Sequence, residues 1–379
     1  MPNNNKNQKI RILLTGGGTG GHIFPLLAVA RGLRRVALEL GIEEPQMLFL
    51  GPRELTAETF PPERIEVKEL YVGKLRRYFS LATILDFFKL PVAFFQSLFH
   101  LYWFMPDIIF AQGGYGSAFP IIVGWFYHIP VVIHESDSVM GLTNRILSNF
   151  AQRIFLAFPT SKKLPSNTFI AGNPLREGLL TGTVEEAKRF FGISLEKPVV
   201  LIQGGSQGSQ TINELVLQAL PKLLEYQEII HITGQGHFEA IRAIALAQVP
   251  PQLHAYYHPY PFLDENALAN AYASCSLVVS RAGSGSIFEI AAAARPSILI
   301  PLPTAASDHQ KKNAYMYADT GAAIVLEEEN LTPNIFRQRI EKIVQDARLQ
   351  QEMVEQAAGF ARPGAADDIA KEIFKVINV

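Results

Sequence analysis

Short apolar runs recur along the chain, each followed by a glycine-rich turn or by apolar positions at helical spacing. Ile10–Leu14 precedes the glycines of 16–21 and a helical pattern from about Phe24 to Leu40; Met47–Leu50, Ile108–Phe110, Val131–Ile133 and Ile154–Leu156 follow. After Asn173-Pro174 the pattern restarts, with Val199–Ile202, the turn Gly204-Gly205-Ser206, a helix from about Ser209 to Leu223, then Ile229–Ile232, Leu277–Val279, Ile298–Ile300 and Ala323–Val325. Continuous apolar runs, rather than alternating ones, belong to parallel strands buried on both faces. Strand and helix in alternation build such sheets. The predicted class is therefore α/β, with two tandem Rossmann-like doubly wound domains facing across a cleft. The prolines at 159, 165 and 174, with Gly172 and Asn173, place the boundary, giving domains over 1–175 and 176–361. A last helical pattern (Ile369, Ile373, Phe374, Ile377) lies within 362–379, which is expected to pack back on the first domain.

Composition sharpens this picture in three ways. Lys+Arg is 34 against Asp+Glu 35, so no global basic field exists for nucleic acid. Charged residues make up only 18% and hydrophobic ones 48%, which points to large buried surfaces or to one surface suited to lipid. The lone cysteine, Cys275, forbids an intrachain disulfide and a cysteine-based metal site and fits a reducing cytoplasm. The polar start of the chain has no apolar core of signal-peptide length. Residues 108–134 contain no Asp, Glu, Lys or Arg, yet Gly113-Gly114-Tyr115-Gly116, Pro120 and Pro130 interrupt them. Two buried strands around a short helix explain that stretch better than a membrane span.

The chemistry sits in four glycine turns. Ligands of doubly wound sheets bind at the carboxyl ends of the strands, where these turns fall. Gly16-x-Gly18-x-x-Gly21 matches the dinucleotide fingerprint formally, but the second strand ends Phe49-Leu50-Gly51 without the acid that holds a ribose, which disfavours a dehydrogenase. What the turn offers is bare N–H groups at a helix start, suited to phosphate or diphosphate. His22 is the one side chain there that can act as a base near neutral pH. Gly113-Gly114-Tyr115-Gly116-Ser117 repeats the arrangement, as do Gly204-Gly205-Ser206-Gln207-Gly208 and Arg281-Ala282-Gly283-Ser284-Gly285-Ser286. Glu289 follows within the next turns and can accept two hydrogen bonds from a ribose diol.

In order, Gly-Gly-Thr-Gly-Gly-His (17–22), Gly-Gly-Tyr (113–115), His134-Glu135, Gly141-Leu142-Thr143-Asn144, Gly172-Asn173-Pro174-Leu175-Arg176, Gly204–Gly208, Arg281-Ala282-Gly283 with Glu289, and Asp308-His309-Gln310 with Asn313-Ala314 occur along the chain. This ordered set, spanning about 10–360, resembles the MurG family, the peptidoglycan N-acetylglucosaminyltransferases of glycosyltransferase B fold. The resemblance implies an inverting transfer of GlcNAc from UDP-GlcNAc to the 4-hydroxyl of the N-acetylmuramoyl sugar of lipid I, a polyprenyl diphosphate, giving lipid II. It places the activity in peptidoglycan synthesis, and so in cell-wall biogenesis, cell shape and division, with no cofactor. It locates the protein in the cytoplasm, peripheral on the inner face of the cytoplasmic membrane, with cell-wall synthesis or division proteins as partners.

The same resemblance distributes the site. Ser206, Gln207 and Gly283, Ser284, Gly285 and Ser286 would hold the donor diphosphate, with Arg281 beside them. Phe262-Leu263 would meet the uracil, Glu289 the ribose, and His309 and Gln310 the sugar hydroxyls. Arg176, Thr19, Gly20, Gly21, Asn144 and Asp137 would complete the donor side. Gly17, Gly18, His22, Gly113, Gly114 and Tyr115 would hold the acceptor diphosphate. Where the family commonly has His-Glu-Gln-Asn, this chain has His134-Glu135-Ser136-Asp137. An ionised Asp accepts but cannot donate, so Asp137 becomes a further candidate base. The order of candidates is His22, Asp137, Glu135.

Two considerations stand apart from the resemblance. No Asp-x-Asp occurs, so helix N-termini and backbone N–H groups are expected to stabilise the leaving diphosphate without a metal. Residues 78–105 carry Leu81, Ile84, Leu85 and Phe88, then Val92, Phe95, Phe99 and Tyr102, at helical spacing, with Trp103 and, upstream, Lys74, Arg76 and Arg77. That describes a helix lying on an anionic surface, apolar face down. A UDP-GlcNAc epimerase on the same fold would have no use for this patch, and a non-catalytic nucleotide-sugar binder no use for four intact turns.

Overall fold

The structure, a computed structural model, describes residues 9–17, 20–52, 60–72, 81–205 and 207–379. The chain divides into two compact units, residues 1–175 with 363–379, and residues 176–362. Each is built on a parallel sheet, as the apolar runs predict.

In the first unit β1 (Arg11–Thr15), α1 (Gly20–Leu40), β2 (Gln46–Gly51), β3 (Glu66–Glu69), α2 (Leu81–Phe104), β4 (Ile108–Ala111), α3 (Ala118–Phe126), β5 (Val131–Glu135), α4 (Leu142–Leu147), β6 (Arg153–Leu156) and β7 (Thr168–Ile170) follow one another. The strands lie in the order β3-β2-β1-β4-β5-β6-β7, all neighbours parallel. In the second unit α5 (Val184–Phe191), β8 (Val199–Gln203), α6 (Gln210–Leu223), β9 (Glu228–Ile232), α7 (Phe238–Gln248), β10 (Tyr257–Tyr260), α8 (Glu265–Ser274), β11 (Leu277–Ser280), α9 (Ser284–Ala292), β12 (Ser297–Leu299), α10 (His309–Ala318), β13 (Ala323–Val325), α11 (Pro333–Gln345) and α12 (Ala347–Phe360) build a sheet ordered β10-β9-β8-β11-β12-β13. The final helix, α13 (Ala365–Val376), belongs to the first unit.

The two orders are the same pattern. In each, the first strand of the unit lies between its second and its fourth, so the order reverses between β1 and β4 and between β8 and β11. That reversal leaves a crevice at the strand carboxyl ends, where a doubly wound sheet binds its ligand. The turns after β1, β4, β8 and β11 are the four glycine turns read from the sequence.

The core follows from the burial of these strands. β4, β5, β8, β9 and β11 are buried along their whole length. One face of the first sheet is sealed by α1 and α13, whose Val29, Leu33 and Val36 pack with Ile369, Ile373 and Phe374. An Arg35–Asp367 ion pair at 2.7 Å ties the two helices at their rim. On the other face α2 turns Ala93, Ser97 and Leu101 inward against the sheet.

Candidate functional site

At the switch point of the first unit, two glycine turns press together with no room for side chains. Gly113 and Gly114 sit at φ +83° and +81°, the left-handed region that favours glycine. A Cβ on Gly114 would stand 2.9 Å from Gly17 Cα, and one on Gly113 would meet the Asn144 amide at 2.6 Å. His22 is half-buried in the first turn of α1. Its imidazole Nδ1 lies 3.1 Å from where a Gly17 Cβ would be, and Nε2 is 3.5 Å from that of Gly114. The ring therefore lies against both turns. The first turn of α1 holds no acidic side chain, so its N-terminal dipole is not met from within that turn. Tyr115, half-buried, opens the short helical turn Tyr115–Ser117 after Gly114.

Behind these turns lies a buried polar frame. Gln112 Nε2 donates to His134 Nδ1 and to Ser136 Oγ, both at 2.8 Å. His134 then donates from Nε2 to the Gly172 carbonyl at 2.9 Å. Burial brings the His134 pKa down to about 4, so the ring is neutral here. Glu135 accepts from Asp137 N at 3.1 Å, Gly141 N at 2.9 Å and Asn144 Nδ2 at 2.9 Å. Burial holds its carboxyl above the usual range, and those three N–H groups work against that. Both oxygens thus clamp the loop 136–144.

This geometry places two of the expected site residues, Glu135 and Asn144, in the supporting frame. Glu135 spends three acceptor positions on the loop and so acts as a strut for Asp137. Asn144 is 4% exposed under Gly113, its amide donating to Glu135 and to the His134 carbonyl. It shapes the turn from beneath. Asp137 itself is half-buried at the start of the clamped loop.

At the switch point of the second unit the packing is selective. Gly208, at φ +77°, has its Cβ position 2.2 Å from the Thr233 carbonyl, and that of Gly204 is 2.5 Å from Ser209 N. By contrast, nothing lies within 4 Å of the Cβ positions of Gly205, Gly283 and Gly285. The open side of these three glycines is where a ligand can approach backbone. Gly283 caps α9 without a side-chain hydrogen bond, and the first turn of α9 carries no acidic side chain. Ser284 is buried, Gly285 and Ser286 half-buried, and Gln207 exposed.

Arg281 is buried. It donates to Ser209 Oγ at 2.6 Å and to the carbonyls of Ile300 and Pro301, and pairs with Glu328 at 2.5 Å. It braces the turn that carries Gly283 and Ser284. Leu263 is buried as well, whereas Phe262 is exposed. Gln310 accepts from Leu302 N at 3.0 Å, and His309 donates from Nδ1 to the Ala306 carbonyl at 2.8 Å. Ser307 and Asp308, at φ +56° and +54°, are strained into the left-handed region just before α10. Asn313 of α10 donates to the Ala282 carbonyl at 3.3 Å and so fixes this helix to the turn after β11.

Glu289 is buried on α9, with Arg176 Nε 2.9 Å from one carboxylate oxygen and the Tyr272 hydroxyl 3.5 Å from the other. Burial raises its pKa, and the Arg176 charge opposes that. The sequence reading missed Gln112, Gln203 and Tyr272 as parts of these frames. Polar Gln112 and Gln203 directly ending apolar strands were the available signal.

Comparison with known proteins gives the family of the chain. Residues 12–156 match the glycosyltransferase family 28 N-terminal domain, and residues 199–369 the family's C-terminal domain. The chain is similar to the UDP-N-acetylglucosamine–N-acetylmuramyl-(pentapeptide) pyrophosphoryl-undecaprenol N-acetylglucosamine transferase of Treponema denticola, 34% identical over 346 residues and 86% of each chain. It is 33% identical over 375 residues to the protein of the same name from Christiangramia forsetii, covering 97% of this chain and 98% of that one. The crystal structure of Acinetobacter baumannii MurG is similar over 97% of this chain and 99% of its own, at 28% identity and TM-score 0.73. The chain belongs to the MurG family. A UDP-GlcNAc 2-epimerase from Neisseria meningitidis shares the fold at 14% identity and TM-score 0.65, and nothing more follows from that likeness.

Of the residues that the MurG-family resemblance singles out, Gly17, Gly20, Gly21, His22, Gly113, Gly114, Tyr115 and Asp137 belong to the first unit. Arg176, Gln207, Leu263, Arg281, Gly283, Ser284, Gly285, Ser286, Glu289, His309 and Gln310 belong to the second. Gly18, Thr19 and Ser206, with Lys74, Arg76 and Arg77, lie outside the described residues, as do the side chains of Leu81, Leu85 and Phe88 in α2. Phe95 and Trp103 are 66% and 69% exposed. They share a face of α2 with Val92, Phe99 and Tyr102, also exposed.

Proposed function

We infer that the protein is an inverting N-acetylglucosaminyltransferase that moves GlcNAc from UDP-GlcNAc to the 4-hydroxyl of the MurNAc-peptide of lipid I, forming lipid II in peptidoglycan synthesis. The observation that carries this reading is the pair of glycine turns at the switch point of each unit, in a chain of the MurG family. Residues 176–361 take the donor. The backbone at Gly205, Gly283 and Gly285, with Ser284 and Ser286, faces the diphosphate, Glu289 the ribose, and His309 and Gln310 the sugar. Residues 1–175 take the acceptor diphosphate on the turns at 16–21 and 113–117.

In the reaction the acceptor 4-oxygen attacks C1 of GlcNAc and the C1–O bond to the β-phosphate breaks. The bonding pair leaves with UDP, and a base takes the hydroxyl proton. His22 is the first choice for that base and Asp137 the second, with Asp137 held in place by Glu135. Charge growing on the diphosphate is met by N–H groups at the start of α9 and in the turn after β8.

Pure protein with UDP-GlcNAc and a short-chain lipid I analogue should release UDP and form the disaccharide lipid at an unchanged rate in excess chelator. Acceptor-independent UDP release with ManNAc formation would move the reading to an epimerase, and loss of turnover in chelator would overturn the metal-free leaving-group argument.

The apolar stripe on α2 supports a place on the inner face of the cytoplasmic membrane. Among the described residues no helix is long and apolar enough to cross a membrane. Trp125 and Phe126, exposed at the end of α3, extend the apolar surface on a helix packed against α2. Aromatic residues on one face of a surface helix bind at the headgroup boundary. In flotation with vesicles containing anionic lipid, the wild-type protein should rise with the lipid, and Phe95→Ser with Trp103→Ser should stay behind. Equal flotation would remove this stripe from the membrane contact.

A further inference from the structure

Tyr272 is 1% exposed on α8, and its hydroxyl is the middle of a hydrogen-bond chain. Gln203 Nε2 donates to that hydroxyl at 3.1 Å, and the hydroxyl donates to Glu289 Oε2 at 3.5 Å. The second proton of the Gln203 amide goes to Ser280 Oγ at 3.2 Å, and Ser280 donates in turn to the Arg281 carbonyl at 2.9 Å. Gln203 and Ser280 are register partners at the ends of β8 and β11, the two strands that flank the switch point. With both Gln203 protons placed, the Tyr272 oxygen receives from Gln203 and its own proton points at Glu289. The direction of the chain is thereby fixed, from the sheet to the carboxylate.

This arrangement sets what Glu289 has left to offer. Arg176 Nε lies 2.9 Å from Oε1, and Tyr272 takes a position on Oε2. Each carboxylate oxygen has two acceptor positions. With the Arg176 charge beside Oε1 and the Tyr272 hydroxyl on Oε2, acceptor positions remain on both oxygens for a vicinal diol.

We propose that Tyr272 is a positioning residue for ribose recognition: through Glu289 it sets the preference of the transferase for a ribonucleotide donor over its 2′-deoxy counterpart. The proposal rests on reading Glu289 as the ribose acceptor. It adds Tyr272, oriented by Gln203, as the group that makes that carboxylate selective.

The test compares UDP-GlcNAc with 2′-deoxy-UDP-GlcNAc as donors for the wild type, Tyr272→Phe, Glu289→Ala and the double variant, with thermal melting of each. Tyr272→Phe should raise KM for UDP-GlcNAc about tenfold, the scale of one hydrogen bond to a charged group, with kcat kept within about twofold. KM for the 2′-deoxy donor should change much less, so the preference shrinks. In the Glu289→Ala background the Tyr272 substitution should add nothing, because it acts through the missing carboxylate. A preference kept in Tyr272→Phe but lost in Glu289→Ala would overturn the role of Tyr272. A preference kept in both would overturn the ribose reading of Glu289 itself. Should Tyr272→Phe fail to fold, Gln203→Met keeps the phenol and removes the donor that orients its hydroxyl, together with the bond to Ser280 Oγ. It should shift the preference the same way by about threefold, and no shift there would overturn the proposal.

Discussion

Replacing His22 with alanine should lower kcat by about 10²–10⁴-fold, the usual worth of a positioned general base, and leave UDP binding unchanged. The separation follows from where the residues lie, since His22 belongs to the first unit and the diphosphate turns at 204–208 and 283–286 to the second. Within the first unit the imidazole lies against Gly17 and Gly114, the backbone that takes the acceptor diphosphate in this reading. A hydroxyl delivered by that acceptor would arrive close to the ring. Asp137 is the competitor, held by a loop that Glu135 clamps through Asp137 N, Gly141 N and Asn144. Asp137→Asn keeps the shape and removes the proton acceptor, so the two variants together assign the base. Loss of the acidic limb of the kcat–pH profile in His22→Ala, with the limb kept in Asp137→Asn, is the expected pattern. A near-normal kcat in His22→Ala with only the acceptor KM raised would make His22 a binding group and pass the base role to Asp137.

Why some elements were legible and others not has a physical answer. β4 and β8 are buried on both faces, so their sequences are unbroken apolar runs, and the sequence reading found them within a residue or two. β3 is Glu-Val-Lys-Glu on a sheet edge with no fully buried position, and nothing in its pattern separates it from a loop. β7 is three residues long, also at an edge, and β10 carries Pro259, tolerated because an edge strand has N–H groups to spare. The helix α5 did have a cue that went unread, Thr183 three residues before Glu186, whose N–H it caps. In the site, glycine turns were legible because only glycine serves where an added Cβ on Gly114 would stand 2.9 Å from Gly17 Cα. The roles of Glu135, Asn144 and Arg281 were not. A polar residue inside a motif declares its chemistry, but which side of the turn it faces is decided by tertiary packing. Gln203, Tyr272 and Glu289 meet across separations of 69 and 17 residues, and no local pattern records that meeting.

Each unit also buries one neutral histidine, and acid should therefore weaken both. His134 and His231 are fully buried, and burial brings their pKa values down to about 4 and about 3, at His134 against the hydrogen bond to Gly172. Each already has both ring nitrogens engaged, His134 by Gln112 and Gly172, His231 by the Tyr257 hydroxyl at 2.9 Å and Asn213 Oδ1 at 3.1 Å. At His134 a proton added to Nδ1 would face the Gln112 amide N–H that is already there. In the unfolded chain a histidine titrates near 6.5. Below that pH the unfolded state binds a proton that the native state refuses, so stability is full above about 6.5 and falls with pH toward the folded values. At about 1.4 kcal/mol per pH unit, acidification from pH 6.5 to 5 costs each unit about 2 kcal/mol. Glu135 and Glu289 work in the opposite sense, because their raised pKa values let the native state take up protons above 4.5. The net slope for the wild type is the difference, and substitution separates the contributions. Calorimetry of His231→Gln between pH 7 and 5 should show a lower Tm at pH 7 but a shallower fall for the second unit, with the first unit's fall unchanged. His134→Gln should show the reverse. Parallel slopes in wild type and variants would mean that the buried histidines do not set the acid limit, and would shift attention to the carboxylates.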